Sequence, residues 1–436
     1  MLNSFTLLGS ASGRNSGDAA LISAIADSID RCCGVALKYE VPSTRPSYIS
    51  TNYSSNIKPV SLMPWNFCIR MLGLPAYRSI MRTDMTLIFD AILFDRELYN
   101  PLFNFMSSLF ILLPLAKKHG KKMALYDAGI GPISTSAGQK MLVKICELMD
   151  FIKVRDEPSY QILREAGVEH KRIIIAADAA LNAPSSDDTR IHQIFMSKGV
   201  SPDKPIVAVN INKYIDTWAQ TGTKSIGKER FLKEVSTALN RIMTEIEAQY
   251  VFITTQHADV DITKELIQQL KFSRNVKLFS SVEFNHYDMK GILRNVTLLF
   301  GMRVHSMILA SAELTPITGL AYQPKVYHYY KTLGLEEFCM DFKDFSASTL
   351  YELITKAWSK RSEIKEHLVQ RIPYLKLQAL KPAIVISEMR KGKDVEEAIS
   401  CVSSDNLIRY SQEHSLLIER LSLLFKRFAN CLHFFC

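Results

Sequence analysis

The sequence predicts an α/β protein of two Rossmann-like domains facing a cleft. Three observations carry this. Short apolar, β-branched runs alternate with longer amphipathic stretches in both halves of the chain. A polar linker, NAPSSDDTR at 182–190, separates the halves. The length, 436 residues, suits two cores better than one.

The strands of the first half read SFTLLG (4–9), MTLIFDAI (85–92), KMALYDAG (122–129), FIKVRD (151–156) and RIIIAAD (172–178). Helices fit between them. GDAALISAIADSIDRCCG has an acidic first turn and a glycine stop, and PSYQILREAGV ends at Gly167. The second half holds PIVAVNIN (205–212), YVFITTQ (250–256), VKLFS (276–280), VTLLFG (296–301) and TPITGLAY (315–322). A long helix, GKERFLKEVSTALNRIMTEIEAQ, follows its first strand. This gives an N-terminal domain over 1–185, a second over 200–395, and a separate C-terminal segment, 404–436. That segment opens with Ser404 and Asp405 as N-caps and repeats Leu and Phe at helical spacing. It is expected to form an amphipathic helix, either a clasp over the domains or a contact with an anionic membrane.

Composition narrows the function. Apolar residues are 47% and charged residues 22%, which excludes a chain that is mainly disordered, collagenous or coiled-coil. The 53 basic against 44 acidic residues leave a formal charge of +9. That excess suits anionic substrates or membrane surfaces, but the charges are dispersed and no basic run interleaves with aromatics, against nucleic-acid binding. The eight cysteines show neither C-x-x-C nor metal-ligand spacing, and fit a reduced, cytoplasmic compartment. The N-terminus lacks the basic region of a signal peptide. The apolar stretch from Pro101 is broken by Asn104, Ser107, Ser108 and Pro114, too short for a bilayer span, and reads as a buried crossover helix with lysines at its C-terminal end, a membrane-associated segment being the alternative.

Three strand-end loops hold candidate chemistry. The first, GSASGRNSGDAAL, opens a helix with glycines at 9, 13 and 17. Its N–H groups suit an anion or a sugar hydroxyl, and Asn15, Gly17 and Asp18 are its candidate acceptor contacts. It is neither a Walker A loop nor G-x-G-x-x-G. The second, DAGIGPIS, precedes Arg155 and Asp156 at the end of the next strand. Strand C-terminal ends face the ligand crevice of open α/β sheets. The third is the sharpest: after Gly301, Arg303 and His305 precede a helix that Ser306 opens. Arginine supplies an anion clamp and histidine a proton donor or acceptor. Gln256 and His257 end another strand of the same half.

Taken in order, these motifs resemble those of the polysaccharide pyruvyl transferase family. The resemblance rests on N-S-G-D-A-A at 15–20, G-I-G-P at 129–132, V-R-D-E-P-S at 154–159 and A-A-D-A-A at 176–180. It continues through T-T-Q-H at 254–257, G-M-R-V-H-S at 301–306 and G-L-A-Y-Q-P-K-V at 319–326. It implies a fold similar to the B-type glycosyltransferases. It also implies transfer of a pyruvyl group from phosphoenolpyruvate to a sugar of a cell-surface polysaccharide or its lipid-linked precursor, as a ketal. On this reading His305 and Arg303 are catalytic. Arg155, Arg303, Ser306, Gln256 and His257 bind the donor, and no metal or further cofactor is needed. The N-terminal domain would take the acceptor, at the inner face of the membrane. Two positions depart from the family's pattern: Phe89-Asp90-Ala91-Ile92 stands where a glycine-rich run is common, and Asp127 where a glycine is common. A nucleotide-sugar glycosyltransferase and a catalytically silent glycan-binding relative are the alternatives.

Overall fold

The computed structural model describes residues 1–62, 73–100, 104–213, 227–403 and 406–407. They form two compact units. The first gathers residues 1–13, 21–183 and those from Pro373 on; the second gathers 14–20 and 184–372. The chain crosses between them at Ala183–Pro184, inside the polar linker, and returns within helix Arg361–Ala379. The expected limits of 185 and 395 therefore differ from the units in two places. Residues 14–20 group with the second unit, and 373–403 with the first. The second difference has a packing reason. In helix Lys381–Arg390 the side chains of Ala383 to Ser387 are buried, Ser387 Oγ donates to the Cys32 carbonyl, and Arg390 Nε donates to that of Leu2.

The first unit is a seven-stranded sheet built from β1 (Ser4–Leu8), β2 (Lys38–Ser43), β3 (Ile57–Ser61), β4 (Met85–Leu93), β5 (Lys122–Ile130), β6 (Phe151–Val154) and β7 (Ile173–Ile175). The order is β3-β2-β1-β4-β5-β6-β7, all parallel. Its central strands are buried on both faces, which is why β4 and β5 read as nearly continuous apolar runs. The second unit is a six-stranded parallel sheet in the order β10-β9-β8-β11-β12-β13. Its strands are β8 (Ile206–Asn210), β9 (Gln249–Thr254), β10 (Lys277–Ser280), β11 (Leu298–Gly301), β12 (Ile317–Ala321) and β13 (Cys339–Asp341). In each sheet the order reverses beside its first strand, and such a switch point opens a crevice at the strands' C-terminal ends. These crevices are β1/β4 and β8/β11.

Helix Met106–Lys118 matches the crossover helix expected there, but only one side is buried. Met106, Leu109, Leu113 and Ala116 pack inward, while Phe110, Ile111 and Leu115 are exposed. Among the described residues no helix is long and apolar enough to cross a membrane. The expected C-terminal helix, 404–436, lies almost wholly outside the described residues.

Candidate functional site

In the second unit, the switch point brings together most of the expected residues. Arg303 follows β11 and starts helix Val304–Ala312 as its N-cap, so His305 falls in the first turn. Arg303 Nε and Nη2 donate to the two carboxylate oxygens of Asp259 at 2.6 and 2.7 Å. Asp259 is fully buried and also accepts from the Lys213 N–H. A bidentate pair with a buried carboxylate fixes both position and plane of the guanidinium. Asn210, the last residue of β8, braces the same turn. Its Oδ1 accepts from the Arg303 N–H and the Ser306 hydroxyl, and its Nδ2 donates to the Ile253 carbonyl. Ser306 is itself fully buried. Sequence reading missed Asp259 and Asn210. Their signal was present: a polar residue ending the apolar run IVAVN, and an acid two places beyond His257.

The glycine-bearing loop joins this site. Residues 14–16 run antiparallel beside 255–257: Ser16 N–H donates to the Thr255 carbonyl at 2.7 Å, His257 N–H to that of Arg14 at 2.9 Å, and Asn15 bridges Gln256. Asn15 caps helix Ser16–Cys33, its Oδ1 accepting from Gly17 N–H and its Nδ2 donating to Asp18. A Cβ on Gly17 would lie 2.1 Å from His305 Nδ1. The close approach of the first helical turn to His305 thus requires glycine. Asn15, Gly17 and Asp18, expected on the N-terminal domain, stand in the unit that holds Arg303 and His305. The His257 ring points elsewhere, with Nε2 at 3.1 Å from the Ser281 carbonyl.

Arg155 belongs to the first unit, in a separate cluster of charges at the ends of β4 to β7. It lies 3.4 Å from Asp178 and 3.9 Å from Asp156, and its side chain is 8% exposed. Burial works against its charge, but Asp178, Asp156, Asp127 and Asp90 outweigh burial and raise its pKa. A Cβ on Gly129 would meet its Nη2 at 2.6 Å, so the G-I-G-P glycine makes room for this side chain. Asp178 also caps the turn Ala179–Asn182 through the Ala180 N–H, and Asp156 caps helix Glu157–Glu165. One residue that sequence reading did not single out, Lys153, completes the cluster. It is wholly buried, pairs with the equally buried Asp127 and donates to the Ala177 carbonyl. Burial pushes the Asp127 carboxyl up to about 6 against the pull of Lys153. Asp90 adopts a φ of 70°, the left-handed region that glycine takes at least cost. A cavity of about 440 Å³ beside His170, Arg172 and Glu396 lies at the opposite end of β7, away from the first unit's crevice.

Comparison with known proteins decides the family. The model of the family "Polysaccharide pyruvyl transferase" matches residues 15–324. The chain belongs to this family. A curated relative is the amylovoran biosynthesis protein AmsJ of Erwinia amylovora, 23% identical over 316 residues, which cover 69% of this chain and 73% of AmsJ. Solved structures share the fold. A putative UDP-N-acetylglucosamine 2-epimerase from Listeria monocytogenes aligns with a TM-score of 0.61 at 12% identity, covering 91% of this chain and 98% of its own. A glycosyltransferase from Rickettsia africae aligns with a TM-score of 0.56 at 11% identity, covering 90% and 100%. The expected fold class of parallel α/β domains similar to B-type glycosyltransferases is the one found. For the pyruvyl transferase family the matched stretch begins at Asn15, the cap of the helix whose first turn packs on His305.

Proposed function

We propose that this pyruvyl transferase moves the pyruvyl group of phosphoenolpyruvate onto a sugar of a cell-surface polysaccharide or its lipid-linked precursor, forming a ketal. The observation that carries the reading is Arg303 as N-cap and His305 in the first turn of one helix at a switch point, with His305 seated on Gly17. Phosphoenolpyruvate carries a carboxylate and a phosphate. An oriented guanidinium and the N–H groups of a helix start complement both.

The chemistry runs through C2 of the donor. His305, as general acid, protonates the methylene carbon and leaves an oxocarbenium-like centre at C2. One sugar hydroxyl adds there and gives up its proton. Phosphate then departs with the C–O bonding pair, and a second hydroxyl closes the ketal, losing its own proton. One proton stays on the new methyl group and one leaves with phosphate, so the balance closes without a metal or organic cofactor. General acid–base catalysis of this kind is worth roughly 10²–10⁴-fold. Arg303 orients the donor, and Asn15, Gly17, Asp18, Gln256, His257 and Ser306 shape or brace its surroundings. Arg155, in the first unit, carries the V-R-D motif to which the family resemblance assigns donor binding. A lipid-linked acceptor would set the reaction at the cytoplasmic face of a membrane.

The test is phosphate release by purified protein given phosphoenolpyruvate and a panel of saccharides. Release that needs both supports the proposal. Consumption of a nucleotide sugar instead would make the protein a glycosyltransferase. Saccharide binding with turnover of neither donor would make it a silent relative.

A further inference from the structure

Helix Met106–Lys118 covers the first unit's sheet but does not look like a covering helix on its outer side. Such helices normally turn charged and polar residues outward. This one reads MSSLFILLPLAKK, with no acidic residue and its only cations in the last turn. Phe110 is 37% exposed, Ile111 59% and Leu115 44%. At about 100° per residue these three bound one outward arc that also takes in Ser107, Pro114 and Lys118. Contiguous exposed apolar side chains of this kind mark a docking surface.

We propose that this face lies on an anionic lipid bilayer. Charge selects the occupant. Exposed Lys118 lies within the arc at the helix's C-terminal end and exposed Lys122 follows four residues later at the start of β5, while Lys117 is already paired with Asp150 at 3.3 Å. An apolar stripe with a basic border is the pattern of a helix lying in the interface, and each lysine near an anionic leaflet adds to the binding. A second copy of the chain fits less well. A twofold contact would set the same face against itself, and the helix offers no carboxylate to answer the lysines. The helix has 13 residues, so it lies in the interface and does not span it. The inference rests on this face and not on the proposed reaction, although a lipid-linked acceptor would give the contact a purpose.

Flotation of the full chain with vesicles tests it, using phosphatidylcholine alone and phosphatidylcholine with about one-third phosphatidylglycerol. The wild type should float with the anionic vesicles and lose binding as salt rises. Ile111→Asp with Leu115→Asp, and separately Lys118→Glu with Lys122→Glu, should each lower the bound fraction by roughly tenfold or more. These positions are exposed, so thermal melts should match the wild type. Phosphate release with a water-soluble acceptor should also be unchanged, which separates failure of this inference from failure of the reaction. Variants that melt normally and float like the wild type would overturn the proposal. So would a wild type that ignores both vesicles and sediments as a dimer that Ile111→Asp dissociates.

Discussion

Gly17→Ala separates two roles for the glycine-bearing loop, because they carry opposite signs. Gly17 is the second residue of helix Ser16–Cys33. If it served only as a flexible turn residue, alanine would stabilise the helix by up to about 1 kcal/mol. The structure argues otherwise. The added Cβ would sit 2.1 Å from His305 Nδ1, 2.3 Å from its Cγ and 2.5 Å from its Cβ. Ordinary contact begins near 3.4 Å, so the shortfall to Nδ1 is 3.4 less 2.1, about 1.3 Å. A rotation of the ring cannot relieve it, since the root of the side chain is also too close. Either the helix start or the His305 turn must move. Overpacking of this size costs about 1–3 kcal/mol, which cancels the helix gain and leaves a net loss of up to about 2 kcal/mol. Displacement of a reacting group by about 1 Å can cost 10²-fold in turnover. Thermal melts and phosphate release with phosphoenolpyruvate and acceptor measure the two effects. A variant with a raised melting temperature and wild-type turnover would refute the assignment of Gly17 as the seat of His305.

Arg303→Ala would strip the fully buried Asp259 of its cation, so Arg303→Lys is the cleaner probe: it keeps the charge, loses the fork, and should raise the KM for phosphoenolpyruvate by about tenfold. His305→Ala should retain much of the donor affinity by calorimetry while turnover falls by roughly 10²-fold or more. Lys153→Met should cost about 3–5 kcal/mol in urea unfolding because it leaves buried Asp127 unpaired, and Asp127→Ala in the same chain should restore most of that. Burial lowers the His286 pKa from 6.5 to about 3, so its contribution is present above pH 6.5 and is lost as pH falls toward 3. From pH 8 to pH 5 that amounts to about 2 kcal/mol, and His286→Gln should flatten the dependence of the urea midpoint on pH.

Sheet order and site differ in how far the sequence exposes them. The central strands of both units were legible because strands buried on both faces must be apolar throughout: MTLIFDAI and VTLLFG stand at β4 and β11. β2 and β3 were not, because each carries a proline, Pro42 and Pro59, which argues against a strand on pattern alone. β13 has three residues and no periodicity to read. At the site, Arg303 and His305 stood out through strand–glycine–helix context. Asp259 and Asn210 did not, since their function is to hold other residues across long sequence separations. The placement of Asn15 to Asp18 beside Gln256 also depends on an antiparallel pairing of irregular segments, which leaves no pattern in either stretch. Asp90 takes a left-handed backbone, and the Asp127 carboxylate is paired with Lys153, neither of which the pattern of their strands announces.

The central claim is the transfer itself. Purified protein incubated with phosphoenolpyruvate labelled with carbon-13 at C2, together with an acceptor saccharide, should move the label into a ketal carbon of the saccharide. One phosphate should appear per ketal, and Arg303→Lys and His305→Ala should slow both together. Carbon-13 spectra that show the donor intact, while the same saccharide is extended from a nucleotide sugar, would contradict the account.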